Sequence, residues 1–149
     1  MAYASVALLK EYASIDADKD DALLYLSIAR AQAMIDAYVG YSFEASADST
    51  RYFDAAPVGE GGHVDGRLLL FDTRCSSITS VTNGDGTAVA AASYVTQPRN
   101  ATRFYGIKLL NSTGLSWERQ TDDDTEKAIT VVGKWAYSTS APADIVQAT

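Results

Sequence analysis

The sequence predicts an α+β protein in which a short helix and a long helix precede an antiparallel β-sheet and the start of a C-terminal helix. Apolar residues recur every three or four positions up to about residue 40. After residue 50, short apolar or alternating runs are separated by turn-forming residues. With 149 residues the chain is long enough for one domain with its own core, so we predict a single domain over residues 1–149.

The helical part is predicted from two capped segments. Ser5 is placed to cap a short helix that runs to about Tyr12. A longer helix should run from about Asp20 to Val39, and Gly40 follows it, where a C-terminal glycine is common. One apolar stripe with spacings of four, three, four and three is expected to face the core; it consists of Leu24, Ile28, Ala31, Ile35 and Tyr38.

Three aspartates before the long helix have the spacing that opens an EF-hand calcium loop: Asp16, Asp18 and Asp20. Such a loop needs glycine at its sixth position and glutamate at its twelfth, but Asp21 and Ser27 occupy these positions. We therefore predict that one aspartate caps the helix and that the others complement its dipole. We expect no metal and no cofactor.

The second half, about residues 50–137, is predicted to be rich in strands. The run "NGDG" at residues 83–86 is typical of a hairpin turn. A glycine-rich loop is expected at residues 56–66, and a charged, exposed loop at residues 118–127. Strands are predicted at residues 51–53, 67–71, 77–82 and 128–132, and around the alternating Tyr105, Ile107 and Leu109.

Charge and composition limit the classes of function. The formal net charge is −7, whereas proteins that grip phosphate backbones need clustered Lys and Arg. Asp122, Asp123 and Asp124 could hold a divalent ion, but a run of this kind is more often a solvated loop tip. No stretch approaches the roughly 18 apolar residues of a membrane span.

The single cysteine and single histidine allow one enzymatic alternative. Cys75 and His63 could form the nucleophile and base of a small hydrolase. The simpler interpretation is a loop histidine and a small, half-buried thiol. For Trp135, in "VVGKWAYS", we predict core packing at the sheet edge in preference to a role as an interface anchor.

The order of these motifs resembles the head–tail connector proteins of tailed phages, also called adaptor or head-completion proteins. The resemblance covers nearly the whole chain. It includes "YASID", "DALLYLSIARAQAMIDAYVGYSF", "SSITSVTNGDGT" and the late series "ITVVGKWAYSTSAPADIVQA". The late series is the most specific part.

The resemblance implies a structural virion protein and not an enzyme. Such subunits form a ring, usually of twelve, below the capsid portal. The ring extends the DNA channel and presents a surface to the next tail or stopper protein, while DNA passes without sequence-specific binding and no membrane is involved. The protein would be made in the host cytoplasm and reside at the head–tail interface of the virion. The alternative is another phage neck or tail-completion protein.

The C-terminal segment "PADIVQAT" is expected to lie at an interface. Pro142 is suited to the first position of a helix, and Asp144 lies near the positive end of its dipole. Ile145 and Val146 begin an apolar face in a run too short to be stable alone. In the resembled family this helix continues and helps to dock on the portal. Here the run stops after about two turns, so either it docks on another surface or the natural chain is longer than the given sequence. Asp122 to Asp124 are expected to face the channel or solvent.

Overall fold

The computed structural model describes residues 3–45 and 47–149 and shows an α+β fold. Two N-terminal helices precede two antiparallel sheets, and a short helix follows them. The predicted class is confirmed. None of the described helices has the length and apolarity needed to cross a membrane.

Local sequence signals set the ends of the two N-terminal helices. Helix α1 is Val6–Ala13, and the Ser5 hydroxyl accepts a hydrogen bond of 3.1 Å from the amide of Leu8. Helix α2 is Asp21–Val39 and ends at Gly40, which has a φ of +83°. Both helices and both of these terminal residues agree with the sequence prediction.

The start of α2 differs from the prediction in its capping chemistry. Asp20 occupies the cap position, but its side chain makes no capping hydrogen bond. Asp18 instead forms an ion pair with Lys10 of α1, and the Lys10 ammonium also lies 2.9 Å from Asp21. The prediction of an aspartate side-chain cap is therefore wrong: the carboxylates join the two helices because Lys10 lies within reach of two of them.

The strands divide between two antiparallel sheets. The first has the order β1-β7-β4 and the second β2-β3-β6-β5, with every pair antiparallel. The bounds are β1 Ser49–Phe53, β2 Val64–Asp65, β3 Leu68–Cys75, β4 Ser77–Thr82, β5 Tyr94–Gln97, β6 Phe104–Leu109 and β7 Ile129–Lys134.

The turn after β4 forms as its composition predicts, but its return arm is short. The amide of Gly86 donates to the carbonyl of Asn83, and the chain pairs back only through Ala88 and Val89 before it leaves the sheet. The buried side chain of Asn83 accepts from the amides of Gly84 and Glu118 and donates to the carbonyl of Ser116. It thus fixes the chain that leads to the acidic loop.

One hydrophobic core joins the two sheets. The residues with no exposed surface come from both of them, which shows that the sheets share one interior. Trp117 and Trp135 lie at its edges, each 8% exposed. The predicted core position of Trp135 is confirmed. The side chains of this core with no exposed surface are Phe53, Leu69, Cys75, Ile107, Ile129 and Val131.

Candidate interaction surfaces

Helix α2 has two apolar faces, and only one of them is covered. Ile28 is the single buried residue of this 19-residue helix. At about 100° per residue, Leu23, Leu26 and Met34 lie on the side away from Ile28, and Tyr38 lies about 80° from Ile28 around the helix, in the last turn. Their exposed fractions are 61, 51, 73 and 92%. We call these four residues the outer stripe.

The outer stripe corrects the sequence prediction at one residue. Tyr38 was assigned to the core-facing stripe because it lies three residues after Ile35, yet it is almost fully exposed. The helix ends at Gly40, so Tyr38 lies in its last turn. The spacing of Leu23, Leu26, Met34 and Tyr38 was itself visible in the sequence as a second helical periodicity.

An aromatic cluster connects the helices to the strand-rich part. The hydroxyl of Tyr3 donates to Asp36 of α2 and accepts a hydrogen bond of 2.6 Å from the amide of Phe43. The ring of Phe43 packs against Tyr41 and Tyr137, and the Tyr41 and Tyr137 rings stack at 6.1 Å. Burial, followed by the hydrogen bond to Asp36, raises the pKa of Tyr3. Helices α1 and α2, which we call the helical arm, are therefore held against the sheets by specific contacts.

The C-terminal segment forms the predicted short helix, α3, at Ala143–Ala148. Pro142 takes the cap position, one residue before the helix, and its carbonyl accepts from the amides of Ile145 and Val146 at 3.0 Å. Asp144 is exposed in the first turn. Ile145 and Val146 are half-buried, and no residue of α3 is fully buried. These four candidate interface residues lie together on one weakly packed element.

The acidic loop is exposed and held in a defined turn. Asp122, Asp123 and Asp124 are all exposed. Amide hydrogen bonds from Asp123 to the carbonyl of Gln120, and from Gln120 to that of Asp124, close the turn. Arg119 forms an ion pair of 3.2 Å with Asp123. Among the residues that the structure describes, no group of three or more potential ligands could hold a metal ion.

A groove with a basic lining lies beside the end of β3. It consists of two adjoining cavities of about 390 and 660 Å³, and both are lined by Arg74 and Tyr105. Residues 71–74 form its wall because the register between β3 and β6 is broken between Leu70 and Cys75. The sequence gives no signal for this groove, since Arg74 lies in β3 and Arg103 just before β6, and they are brought together only by the pairing of Cys75 with Phe104.

Cys75 and His63 are not joined as a catalytic pair. The Cys75 thiol donates to the carbonyl of Ser77 at 3.2 Å, and burial raises its pKa to about 11, so little thiolate forms at neutral pH. The Nδ1 atom of His63 accepts from the amide of Asp54, and its ring packs edge-on against Phe53. Phe53 pairs with Ile129 at one end of β7, whereas Ser77 pairs with Lys134 at the other. Cys75 is also fully buried, not half-buried as expected.

A scan of the chain against protein-family models found no match, and searches of curated proteins and of solved structures found none either. The function is therefore argued from the surfaces described above.

Proposed function

We propose that the protein is a structural subunit of a phage head–tail connector, a ring that docks below the capsid portal. The ring extends the DNA channel and offers the attachment surface for a tail or stopper protein. The observation that supports this proposal is the outer stripe of α2. A helix that is apolar on both faces is normally buried on both, and here the described chain covers only one.

The outer stripe has the features of a contact surface between proteins. Four large apolar side chains are exposed along one helix, whereas exposed apolar residues on a monomer are usually scattered. Arg30 is the only charged residue between them on the same face. Met and Tyr are favoured at such contacts because they combine apolar area with adaptability or a polar tip.

Ring formation needs two different surfaces on each subunit. A contact that joins unlike surfaces repeats from copy to copy and closes when the rotation fits a whole number of subunits. In the proposed assembly the outer stripe of one subunit packs against its neighbour. Asp144, Ile145 and Val146 lie on α3 and Pro142 caps it, and we assign this segment to a contact with the portal or with a neighbouring subunit.

In the proposed role the protein is not an enzyme. The alternative structural role is that of another phage neck or tail-completion protein. Burial of Cys75 and its raised pKa argue against the hydrolase alternative. The formal net charge of −7 fits a ring that lets DNA pass, because like charges repel phosphate.

Binding to a portal ring tests the connector proposal. Purified protein is mixed with the portal protein from the same genome, and the complexes are viewed by negative-stain electron microscopy. We expect an added closed ring below the portal. The double variant Leu26→Asp/Met34→Asp should fail to form it, because charges on the outer stripe would be buried without partners.

The control is Val58→Asp, which places one such charge on an exposed apolar residue outside the three α-helices. It should still form the ring, and circular dichroism should show native helix content in all three proteins. Failure of the wild-type chain to join the portal, or normal ring formation by the double variant, would contradict the proposal. A ring on a tail-tube end instead of the portal would favour the neck or tail-completion alternative.

A further inference from the structure

We propose that the basic groove receives the acidic turn Asp122–Asp124 of a second copy of this chain. The proposal rests on the proposed function, because it names a contact between neighbouring subunits. It places the acidic turn against a neighbour in the assembly, in contrast to the channel-facing position expected from sequence.

The groove is open and has a size suited to a short polypeptide turn. Its two cavities fall in the range of about 300–1,000 Å³ in which proteins bind compact ligands. Aromatic rings and backbone line one half, and a polar loop lines the other. The lining includes Tyr41, Phe71, Arg74, Asn100, Arg103 and Tyr105.

The groove presents cations that lack carboxylate partners. Among the described residues, neither Arg74 nor Arg103, the two arginines of the lining, forms an ion pair. The guanidinium of Arg103 lies 4.1 Å from the centre of the Tyr137 ring, so its flat face is covered while its N–H edge is free to bind a carboxylate. Asp72 is the only acidic residue among the described residues of the lining, and Arg51 pairs with it at 3.0 Å.

The acidic turn is a suitable occupant because it is preformed. The side chain of Asp122 accepts from the amide of Asp124, and that of Asp124 accepts from the amide of Glu126. The loop is anchored to the sheets where the amide of Lys127 donates to Asp54 at 2.8 Å. A turn that is already ordered loses little conformational entropy when it binds.

The groove and the acidic turn lie at opposite ends of the strands. The acidic turn leads into Ile129, the first residue of β7. Arg74 instead lies two residues before Ser76, whose amide donates to the carbonyl of Lys134, the last residue of β7. Six residues of strand separate these ends by roughly 20 Å. The acidic turn is held by its own end of the sheet, so it cannot reach the groove of its own chain and must come from another copy.

This arrangement gives each chain two contact surfaces of opposite charge, the acidic turn and the basic groove. Arginine binds carboxylates through paired N–H···O contacts, and Asp122 and Asp124 form no ion pair within the described residues. A contact between unlike surfaces repeats head to tail, which is the geometry that a ring requires.

Site-directed cross-linking tests the contact in solution without the portal. An Asp123→Cys protein is mixed with a Thr102→Cys protein at about 0.1 M salt and treated with a short bismaleimide. Cys75 is buried and should not react. We expect a cross-linked dimer only when both variants are present. Its yield should fall sharply at about 1 M salt, where the Debye length shrinks from about 10 Å to about 3 Å. Replacing Thr102→Cys by Asp16→Cys, on the helical arm, gives the matched control, which should yield only background.

Charge reversal tests which groups hold the contact. Arg74→Glu/Arg103→Glu in the Thr102→Cys protein should reduce the dimer to background, and combining it with Asp122→Lys/Asp124→Lys in the Asp123→Cys protein should restore it.

Cross-linking no better than the Asp16→Cys control, or a yield indifferent to the arginine variants, would overturn the inference. So would tight binding of duplex DNA by the wild type that the arginine variant loses, because the groove would then be a phosphate site. Portal rings that form while the cross-link is absent would leave the proposed function intact, whereas a cross-link without portal rings would support the contact alone.

Discussion

At the scale of single residues, Trp135 shows how a side chain can belong to the core and still meet its polar needs. Its indole N–H donates to the carbonyl of Ser49 at 2.9 Å, and its ring packs against Phe53 and Phe71 at 5.7 and 5.0 Å. Trp135→Ala should lower the free energy of unfolding by about 3–5 kcal/mol, the usual cost of removing a large buried ring. Urea unfolding followed by circular dichroism measures this loss.

An exposed aromatic residue provides the comparison for Trp135. Tyr12 is 86% exposed, so Tyr12→Ala should change the free energy of unfolding by no more than about 0.5 kcal/mol. Trp117→Phe leaves Trp135 as the only tryptophan, and its emission should be blue-shifted. Red-shifted emission from that variant would place Trp135 in solvent and contradict its core position.

Cys75 should make the free energy of unfolding depend on pH in the alkaline range. Burial raises the pKa of its thiol from an ordinary value of 9.0 to about 11. Between these two values the unfolded chain binds fewer protons than the folded chain, so the free energy of unfolding should fall as the pH rises through this window. Burial also raises the pKa of Tyr3 and Tyr94, which act in the same direction.

The contribution of the thiol can be separated from that of the tyrosines. Cys75→Ala keeps both tyrosines, so the fall in unfolding free energy between pH 9 and pH 11 should be shallower in this variant than in the wild type. Chemical unfolding at several pH values measures both slopes. Equal slopes would mean that the thiol has the same pKa in the folded and unfolded states, which would contradict this prediction.

At the scale of elements, the junction of α1 and α2 explains why the aspartates there need no metal. Lys10 forms ion pairs with Asp18 and Asp21, and the hydrogen bond from Lys10 to Asp18 lowers the pKa of Asp18. The lysine occupies the place that a cation would take. Calorimetric titration with calcium should therefore show no micromolar, stoichiometric binding. A tight isotherm that Asp18→Ala abolishes would contradict this interpretation.

The same elements show what sequence can and cannot predict. The cap at Ser5, the helix end at Gly40 and the turn at Asn83 follow from neighbouring residues, and all three are present in the structure. The Lys10 contacts depend on how two helices pack, which local patterns do not encode. Tyr38 was misplaced because periodicity gives the angle of a side chain on a helix but not how far the partner surface extends.

At the scale of the whole molecule, charge is separated along the strands. The chain has a formal net charge of −7, yet the end near Lys134 presents the unpaired Arg74 and Arg103. Composition predicted the acidic balance but not this separation, because the groove depends on the broken register of β3 and on strand pairing across 29 positions of sequence. The candidate C-terminal residues, by contrast, are neighbours in sequence and lie together in α3.

The separation of charge leads to a prediction about DNA. Nonspecific affinity for duplex DNA comes from many Lys and Arg contacts to phosphates, each of which releases counterions. Here the exposed arginines of the groove are few, and the opposite end carries the acidic turn. The purified protein should therefore not retard duplex DNA in a gel assay at physiological salt. The double variant Asp122→Lys/Asp124→Lys, which adds four units of positive charge, provides a comparison and should retard DNA more than the wild type. Retardation by the wild type with a steep dependence on salt would show that DNA is gripped, which a connector that lets DNA pass must avoid.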